Sequence, residues 1–341
     1  MKKRLYLLIT LLLCNLAVFT SCGDDDPITK EPDKEDPDKG NPDKDKDKET
    51  TKTITIDATA YDKWVYVNLA DGSKVSHEID PVAGSYNGDI TLKVMGEDQG
   101  TVEGLKLEIS RISSDSIKFV LKDFAFGQYG TIGDITSGAK VEIDSINGKL
   151  GYVLTGGEVS STLEKFNVKA TSKGNIIGKQ IELITTMNLG SMPMPIIATY
   201  KGTIEKGTVD ESSFTWDIAF HRWDVKTNGG SGLETSATEI ASLTEIPTED
   251  YIADEEISTI MVDNTNMMKG KVGYATGYVN KTLGKWMNVD TSNMPPAYTM
   301  SGKVYVLKTS ANKYVKIKFT DYTNDANEKG HITLEYVYPA K

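Results

Sequence analysis

The sequence predicts an all-β protein. After residue 51, short runs of alternating apolar and polar residues follow one another, separated by turn pairs such as Asp71-Gly72. No stretch keeps the period of a long amphipathic helix. Strands followed by strands, without intervening helices, are typical of a sandwich or a barrel. The clearest predicted strands are residues 53–56, 64–69, 303–307, 315–319 and 332–338.

One central stretch, residues 214–232 (FTWDIAFHRWDVKTNGGSG), has the strongest strand pattern. Trp216, Ile218 and Phe220 are predicted to share one face of a strand, because side chains alternate along it. The alternation loses phase after His221, and we attribute this to a β-bulge. The following Asn-Gly-Gly tolerates positive φ and predicts the end of the strand.

The first 22 residues form a predicted export signal. Three basic residues precede the apolar run 5–19, which is too short to span a membrane comfortably. Small residues before Cys22 resemble a bacterial lipoprotein cleavage box, so Cys22 is the predicted lipidation site and its lipid would anchor the protein in the membrane. The alternative is an ordinary signal peptide. Cys14 lies in the removed segment, which leaves no cysteine for a disulfide.

Residues 23–50 are predicted to be a disordered tether. Pro-Asp-Lys recurs every five residues, and almost no apolar side chain is present to offset the entropy of ordering. The triplet Asp24-Asp25-Asp26 resembles the signal that sends some lipoproteins to the outer membrane. These features predict a cell-envelope protein that is surface-exposed or released.

Charge excludes one class of partner. The chain carries a formal net charge of −11 and has no basic cluster. Such a surface repels nucleic acids, so we predict no nucleic-acid binding.

Residues 81–207 are richer in Gly and Ser than the flanking segments, and their apolar residues are aliphatic more than aromatic. They are predicted to form a small up-and-down β-barrel. A hydroxyl-Tyr-x-Gly-x-Ile pattern occurs at both ends, at 85–90 and 199–204. Since the first and last strands of a barrel must pair, the matching patterns indicate closure, although coincidence is an alternative. The pieces KFVLKDFAFG, TIGDI, YVLTGG and ATYKGTI resemble calycin-like domains of bacterial lipoproteins.

The remaining chain, residues 51–76 and 214–341, carries a set of motifs in collinear order. They are TKTITIDA from Thr51, Tyr61, Trp64, Tyr66, WDIAFHR from Trp216, Asn228, Pro247-Thr248, Tyr251, VYVL from Val304, FTDY from Phe319, and the segment from Ile332 to Pro339. In these motifs the chain resembles the HmuY family of haem-binding bacterial lipoproteins.

The resemblance implies a domain layout. Residues 51–80 and 208–341 would form one HmuY-like antiparallel β domain, interrupted by the calycin-like barrel 81–207. Insertion of a domain is tolerated when its two ends lie close together, as they do in a closed barrel.

The resemblance also implies a function. The family fold grips one haem (iron protoporphyrin IX) between two loops, each of which supplies one axial ligand to the iron, and this iron is the only metal we expect. A TonB-dependent outer-membrane receptor is the implied partner for haem delivery. In the best-known pattern both ligands are histidines. Here the three histidines, His77, His221 and His331, do not fall at those positions.

The ligand positions fall instead in two methionine-bearing loops, 264–270 and 292–296. Met267, Met268 and Met294 are the candidate axial ligands. Both loops are polar, which is unusual for methionine. A thioether is a soft, neutral ligand that favours ferrous haem. The alternative is that these methionines are solvent-exposed or fill gaps.

Other side chains near these loops are candidates for the haem pocket. Aromatic rings could pack on the porphyrin, and lysines could pair with its propionates, although ordinary sheet packing and solvation are alternatives. The candidates are Tyr274, Tyr278, Trp286, Tyr298, Lys269 and Lys271. Three further methionines, Met261, Met287 and Met300, lie on predicted strands and are assigned to the core.

The sequence contains no catalytic motif, so we predict a binding protein and not an enzyme. Haem scavenging and delivery is the leading hypothesis. The alternative is a surface adhesin or a glycan-binding lipoprotein that has lost haem. A third possibility is an apolar small molecule inside the barrel.

Overall fold

The computed structural model describes residues 49–125, 131–157, 159–163, 166–189, 195–292 and 295–340. Residues 49–341 form one structural unit. The described residues are mostly strands, all paired antiparallel, with one α-helix of four residues. The all-β prediction is confirmed. The predicted signal segment with Cys22, and all but the last two residues of the predicted tether, lie outside the described residues.

The strands are numbered in chain order, and their bounds are as follows. The first group is β1 (Lys52–Asp57), β2 (Lys63–Val67) and β3 (Lys74–Glu78). The second is β4 (Gly84–Val94), β5 (Glu97–Ser113), β6 (Ser116–Ala125), β7 (Thr131–Ile146), β8 (Lys149–Thr155), β9 (Val159–Leu163), β10 (Phe166–Ile177), β11 (Gln180–Leu189) and β12 (Ile196–Lys206). The third is β13 (Ile218–His221), β14 (Asp224–Thr227), β15 (Ser231–Glu234), β16 (Ile252–Ala253), β17 (Glu255–Asn266), β18 (Lys271–Val279), β19 (Met287–Asp290), β20 (Ala297–Met300), β21 (Val304–Lys308), β22 (Tyr314–Thr323) and β23 (Lys329–Ala340). Helix α1 spans Lys281–Gly284, and one-turn 3-10 helices span Glu211–Ser213, Ile240–Ser242 and Met267–Lys269.

Eight strands of the second group close into a barrel. Their order is β4, β5, β6, β7, β8, β10, β11 and β12, and β12 returns to pair with β4, while β9 lies outside the ring against β10. In the closing pair, Tyr200 lies opposite Ile90 and Gly202 lies opposite Gly88. The two matching sequence patterns are therefore partners, and the predicted closure is confirmed.

The interior of the barrel is filled by its own side chains. Ile, Leu and aromatic residues from all eight strands form one buried cluster, which includes Tyr86, Phe119, Tyr152, Ile176 and Tyr200. An eight-stranded barrel is just wide enough for side chains to fill. The possibility of an apolar ligand inside the barrel therefore gains no support.

The strands before and after the barrel share one core. β1 pairs with β23 at the edge of a six-stranded sheet, and β2 pairs with β13 in a four-stranded sheet. Large side chains from both sheets and from the region of α1 meet between them, among them Phe220, Trp286, Tyr305 and Phe319. Segments more than a hundred residues apart in sequence thus depend on each other for burial.

The central stretch differs from its prediction in two respects. It forms a hairpin, β13 and β14, and not one bulged strand, because His221 pairs with Asp224 across a two-residue turn. Arg222 makes this turn with φ of 54°. Alternation resumes on the second arm, so a hairpin and a bulged strand give the same pattern. Trp216 precedes β13 and packs in a different cluster from Ile218, so the prediction of one shared face is wrong for this residue.

The two ends of the barrel lie side by side. A Cβ atom placed on Gly84 would lie 2.5 Å from the carbonyl oxygen of Lys206 and 3.3 Å from the Cα atom of Gly207. This closeness is what an insertion between neighbouring strands requires. The assignment of 81–207 as a separate domain stays a prediction.

The closing pair of the barrel can be tested with Gly88→Ala. A Cβ atom at Gly88 would lie 2.2 Å from the Lys201 carbonyl oxygen and 2.5 Å from the Gly202 Cα atom. We expect the free energy of unfolding in urea to fall by about 1–3 kcal/mol, which is typical of overpacking. Gly157→Ala is the control, because nothing lies within 4 Å of a Cβ there. Equal stability of the two variants would contradict the observed closure.

Candidate functional site

The first methionine loop is the tip of the β17–β18 hairpin. These two strands pair only with each other among the described residues. Met267–Lys269 form a single 3-10 turn, and Gly270 ends it with φ of 72° and donates its N–H to the Met267 carbonyl oxygen at 2.8 Å. On the incoming strand, the Asp263 side chain accepts hydrogen bonds from Thr265 at 2.9 and 2.6 Å. The loop is therefore a short, locally bonded tip.

Both methionines of this tip are accessible. Met267 is 39 % exposed and Met268 is 93 % exposed. Thioethers in these positions do not fill gaps in a core, whereas the alternative that they are solvent-exposed side chains describes both of them. They are available to a ligand, and their assignment as axial ligands stays a prediction.

The second methionine loop connects β19 and β20. Met294 lies outside the described residues, so the convergence of the two loops stays a prediction. On the flanking strands, Met287 is buried, whereas Met300 is 38 % exposed. The core assignment is therefore wrong for Met300, which lies at the exposed end of β20. Met261 is partly buried on β17.

The two hairpin tyrosines occupy different positions on β18. Tyr278 is exposed, with the ammonium of Lys179 lying 5.7 Å from its ring centroid. Tyr274 is partly buried, and its backbone carbonyl accepts a hydrogen bond of 3.0 Å from the hydroxyl of Tyr152. Of the two, Tyr278 presents the larger free ring surface.

The other two aromatic candidates belong to the packed core around β22. Trp286 is fully buried, stacks on Phe319 with 4.4 Å between ring centroids, and donates its indole N–H to the Trp223 carbonyl oxygen at 2.9 Å. Tyr298 is partly buried and stacks on Tyr322 at 5.6 Å. The structure therefore gives Trp286 a packing role, with no face directed to a ligand.

The two candidate lysines also differ. Lys269 is exposed at the tip. Lys271 forms an ion pair of 3.0 Å with Asp144 of the barrel strand β7. The hydrogen bond from Lys271 lowers the pKa of the Asp144 carboxyl below its usual value. Lys269 is thus the freer cation for an incoming carboxylate.

A cleft of about 1040 Å³ separates the hairpin tip from the barrel. We call it the barrel–hairpin cleft. The hairpin contributes residues 262–266, Lys269 and Lys271, and the barrel contributes residues from β5, β7 and β8. Neither Met267 nor Met268 lines it, so the two thioethers lie beside the cleft and not within it.

The three histidines are engaged elsewhere. His221 is 1 % exposed, and its Nε2 and Nδ1 atoms lie 2.7 Å from the Tyr61 carbonyl oxygen and 3.4 Å from Asp224. His77 stacks on the ring of Phe214, and His331 pairs with Glu328. None of these contacts involves the methionine tip, and Met267 and Met268 stay the predicted axial ligands. Their softness fits ferrous haem.

A buried lysine that sequence reasoning did not single out lies in the central hairpin. Lys226 on β14 is only 7 % exposed, and its ammonium lies 4.6 Å from the ring centroids of Trp64 and Tyr66 and 5.4 Å from that of Trp216. Its counterion is Glu211, at 2.5 Å. We call these five residues the lysine cage. The high density of aromatic residues around WDVK was the available signal.

Two opposing effects act on the pKa of Lys226 in the lysine cage. Burial lowers the pKa of Lys226, and the nearby Glu211 carboxylate raises it again. Burial also raises the pKa of Tyr66, whose hydroxyl donates to the same carboxylate oxygen at 2.8 Å. A cavity of about 560 Å³ lies beside the cage. Within the cage, the Lys226 ammonium is paired with the Glu211 carboxylate.

The comparison with known families decides the identity. A family model described as HmuY protein matches residues 60–336, which is most of the chain. The chain belongs to the HmuY family. The resemblance seen in the sequence is confirmed. No curated protein matches the chain.

Several solved structures are similar to this HmuY family member. A lipoprotein from Bacteroides fragilis is 24 % identical, with 85 % of this chain and 90 % of that chain covered and a TM-score of 0.45. An HmuY-like haem-binding protein from Bacteroides vulgatus is 23 % identical, with 85 % and 93 % covered and a TM-score of 0.45. The apo HmuY analogue of Tannerella forsythia is 22 % identical, with 86 % and 98 % covered and a TM-score of 0.44. The family assignment depends on the family model and not on these likenesses.

Within the described part of the chain, no group of three or more His, Cys, Asp or Glu side chains is arranged to hold a metal ion. No helix in that part is long and apolar enough to cross a membrane.

The coupling within the lysine cage can be measured with Glu211→Gln and Lys226→Met. Removing the carboxylate leaves a buried ammonium without its counterion, so we expect Glu211→Gln to lower the free energy of unfolding by about 1–2 kcal/mol. Methionine keeps the aromatic contacts without the charge. In the Lys226→Met background, Glu211→Gln should therefore cost little, which a double-mutant cycle from urea unfolding would record.

An exposed ion pair of the same connecting segment provides the control. Lys206 and Asp210 are separated by 3.3 Å, and both are largely exposed. Lys206→Met should change the free energy of unfolding by well under 1 kcal/mol, as for most surface pairs. Additive effects in the cage cycle would show that Glu211 and Lys226 do not stabilise each other.

Proposed function

We propose that this protein is an envelope lipoprotein that binds haem and passes it on. The observation that carries the proposal is the pair of accessible thioethers, Met267 and Met268, at the tip of a hairpin in a member of the HmuY family. The HmuY resemblance assigns an axial ligand to this loop. Binding and transfer, and not catalysis, are the proposed activities.

The proposed ligand set is one thioether from each loop. Met267 or Met268 would supply one axial position, and Met294 would supply the other. When bound, haem supplies a redox-active iron whose ferrous state is favoured by neutral sulfur ligands. On the protein side, exposed Lys269 is placed to pair with a propionate, and the ring of Tyr278 offers apolar surface on the same hairpin.

The proposed location follows from the start of the chain. Cys22 would carry the lipid anchor, and residues 23–50 would hold the folded unit away from the membrane. The acidic triplet 24–26 supports the outer membrane. A TonB-dependent receptor would take the haem, as the family resemblance implies. These assignments are supported by sequence features alone.

The proposal is tested by an absorbance titration of residues 49–341 with haemin, with and without dithionite. We expect saturable binding with sharp low-spin ferrous bands. Met294→Ala and the double variant Met267→Ala/Met268→Ala should weaken these bands and the affinity, because each removes one axial ligand. Single variants of Met267 and Met268 should then identify the ligating residue of the tip.

Met95→Ala provides a matched control. Met95 is 68 % exposed, but it lies at the turn between the barrel strands β4 and β5. Its loss should leave the spectrum and the affinity unchanged. Absence of any saturable spectral change in the unmodified protein, in either redox state, would rule out haem binding. The adhesin or glycan-binding alternative would then take its place.

A further inference from the structure

The inserted barrel contacts the hairpin that carries Met267 and Met268. Three polar contacts join them. The Tyr152 hydroxyl of β8 donates to the Tyr274 carbonyl oxygen of β18 at 3.0 Å. Asp144 pairs with Lys271 at 3.0 Å, and Lys179 pairs with Glu256 at 2.5 Å. The hairpin is thus bonded to the barrel near its tip, along β18 and at its base.

The Tyr152 contact is distinctive because its ring belongs to the barrel core. Only 7 % of the residue is exposed, and its ring packs with the other core residues of the barrel. Two other barrel tyrosines donate to acceptors within residues 81–207: Tyr86 donates to the Val82 carbonyl oxygen and Tyr200 donates to that of Leu105. Tyr152 instead donates to a strand outside the barrel. Burial raises the pKa of its hydroxyl, which therefore remains a donor at neutral pH.

Glycines allow the close approach at two points. A Cβ atom on Gly273 would lie 3.0 Å from the Tyr152 hydroxyl and 3.1 Å from the Cδ1 atom of Ile143. At the turn between β10 and β11, a Cβ atom on Gly178 would lie 3.3 Å from the Thr276 hydroxyl. The barrel therefore packs directly against the backbone of β18 at Gly273, and its β10–β11 turn meets the Thr276 side chain at Gly178.

The hairpin needs support of this kind. An isolated two-stranded hairpin is at best marginally stable in water, and the pairing of β17 with β18 is interrupted by three register shifts. Its inner face packs on the core cluster that contains Trp64 and Trp216. The hairpin residues in that cluster are Ile257, Ile260, Val262, Ala275 and Val279, so the tip at 267–269 is not part of it. The barrel contact at Lys271, four residues after Met267, is the described contact that reaches closest to the tip.

We infer that the barrel is a splint that holds the methionine-bearing hairpin in its binding conformation, with Tyr152 and Asp144 as positioning residues. This inference rests on the proposed function. A loop that is ordered before binding loses less conformational entropy when it takes its ligand. The splint would therefore raise haem affinity without touching haem.

The experiment compares Tyr152→Phe with the matched control Tyr200→Phe. Both changes remove one hydroxyl from the barrel core and keep the ring, but only the first removes a bond to the hairpin. Amide hydrogen exchange on haem-free protein is the first readout. We expect exchange in β17 and β18 to quicken roughly three- to tenfold in Tyr152→Phe, the effect of one lost hydrogen bond, while the barrel amides stay protected. Tyr200→Phe should leave the hairpin unchanged.

Haem affinity and the rates of binding and release are the second readout. Tyr152→Phe should weaken affinity by a factor of roughly three to ten, with the ferrous spectrum retained because the axial ligands are intact. Adding Asp144→Asn should increase both effects, whereas Asp134→Asn, which removes an exposed ion pair between the barrel strands β6 and β7, should not.

Each outcome decides a separate point. Equal hairpin exchange in the two tyrosine variants would overturn the splint. Faster hairpin exchange with unchanged haem affinity would overturn the positioning role. If the unmodified protein binds no haem, the proposed function fails, and the exchange measurement still decides whether the barrel orders the hairpin.

Discussion

The pairing of β4 with β12 is the contact on which the rest of the structure depends. It closes the barrel, and it also places residues 84 and 207 next to each other. The chain can therefore leave the sheet that contains β2 and β3, build nine strands, and return to continue that sheet with β13. β1 and β2 thereby share a core with strands formed more than a hundred residues later.

The segment that follows β12 is held in place by an ion pair as well as by packing. Glu211 stands on the 3-10 turn just after β12, and its carboxylate accepts hydrogen bonds from Tyr66 of β2 and Lys226 of β14. One acidic side chain thereby joins the barrel exit to strands from both parts of the HmuY-like fold. The buried ammonium needs that carboxylate, since an unpaired charge among aromatic rings would be expensive. The lysine cage is therefore a structural joint at the same place where the barrel is inserted.

Much of the fold could be predicted because its signals are local. Alternation gave the strands, and two matching tyrosine patterns gave the closing pair of the barrel. The hairpin at His221 could not be distinguished from a bulge in the sequence. Its turn depends on a positive φ at Arg222, and arginine is not a residue type that indicates a positive φ.

Trp286 was predicted to be a pocket residue because it lies near the methionine loops in sequence, yet its ring stacks on Phe319 in the core. Sequence proximity does not show which way a ring points. The contact of Tyr152 with Tyr274 could not be predicted either, since it joins the barrel to a hairpin more than a hundred residues later and no local pattern encodes their relative placement.

The barrel also supports the methionine-bearing hairpin from outside. Tyr152, Asp144 and Ile143 of the barrel meet the second strand of the hairpin between Lys271 and Tyr274, immediately beyond the tip. The barrel has a filled interior, so its outer surface is what it offers to the rest of the protein. A rigid body placed against a marginal hairpin restricts the conformations of that hairpin, and any ligand held by Met267 or Met268 would be held by a more rigid arm.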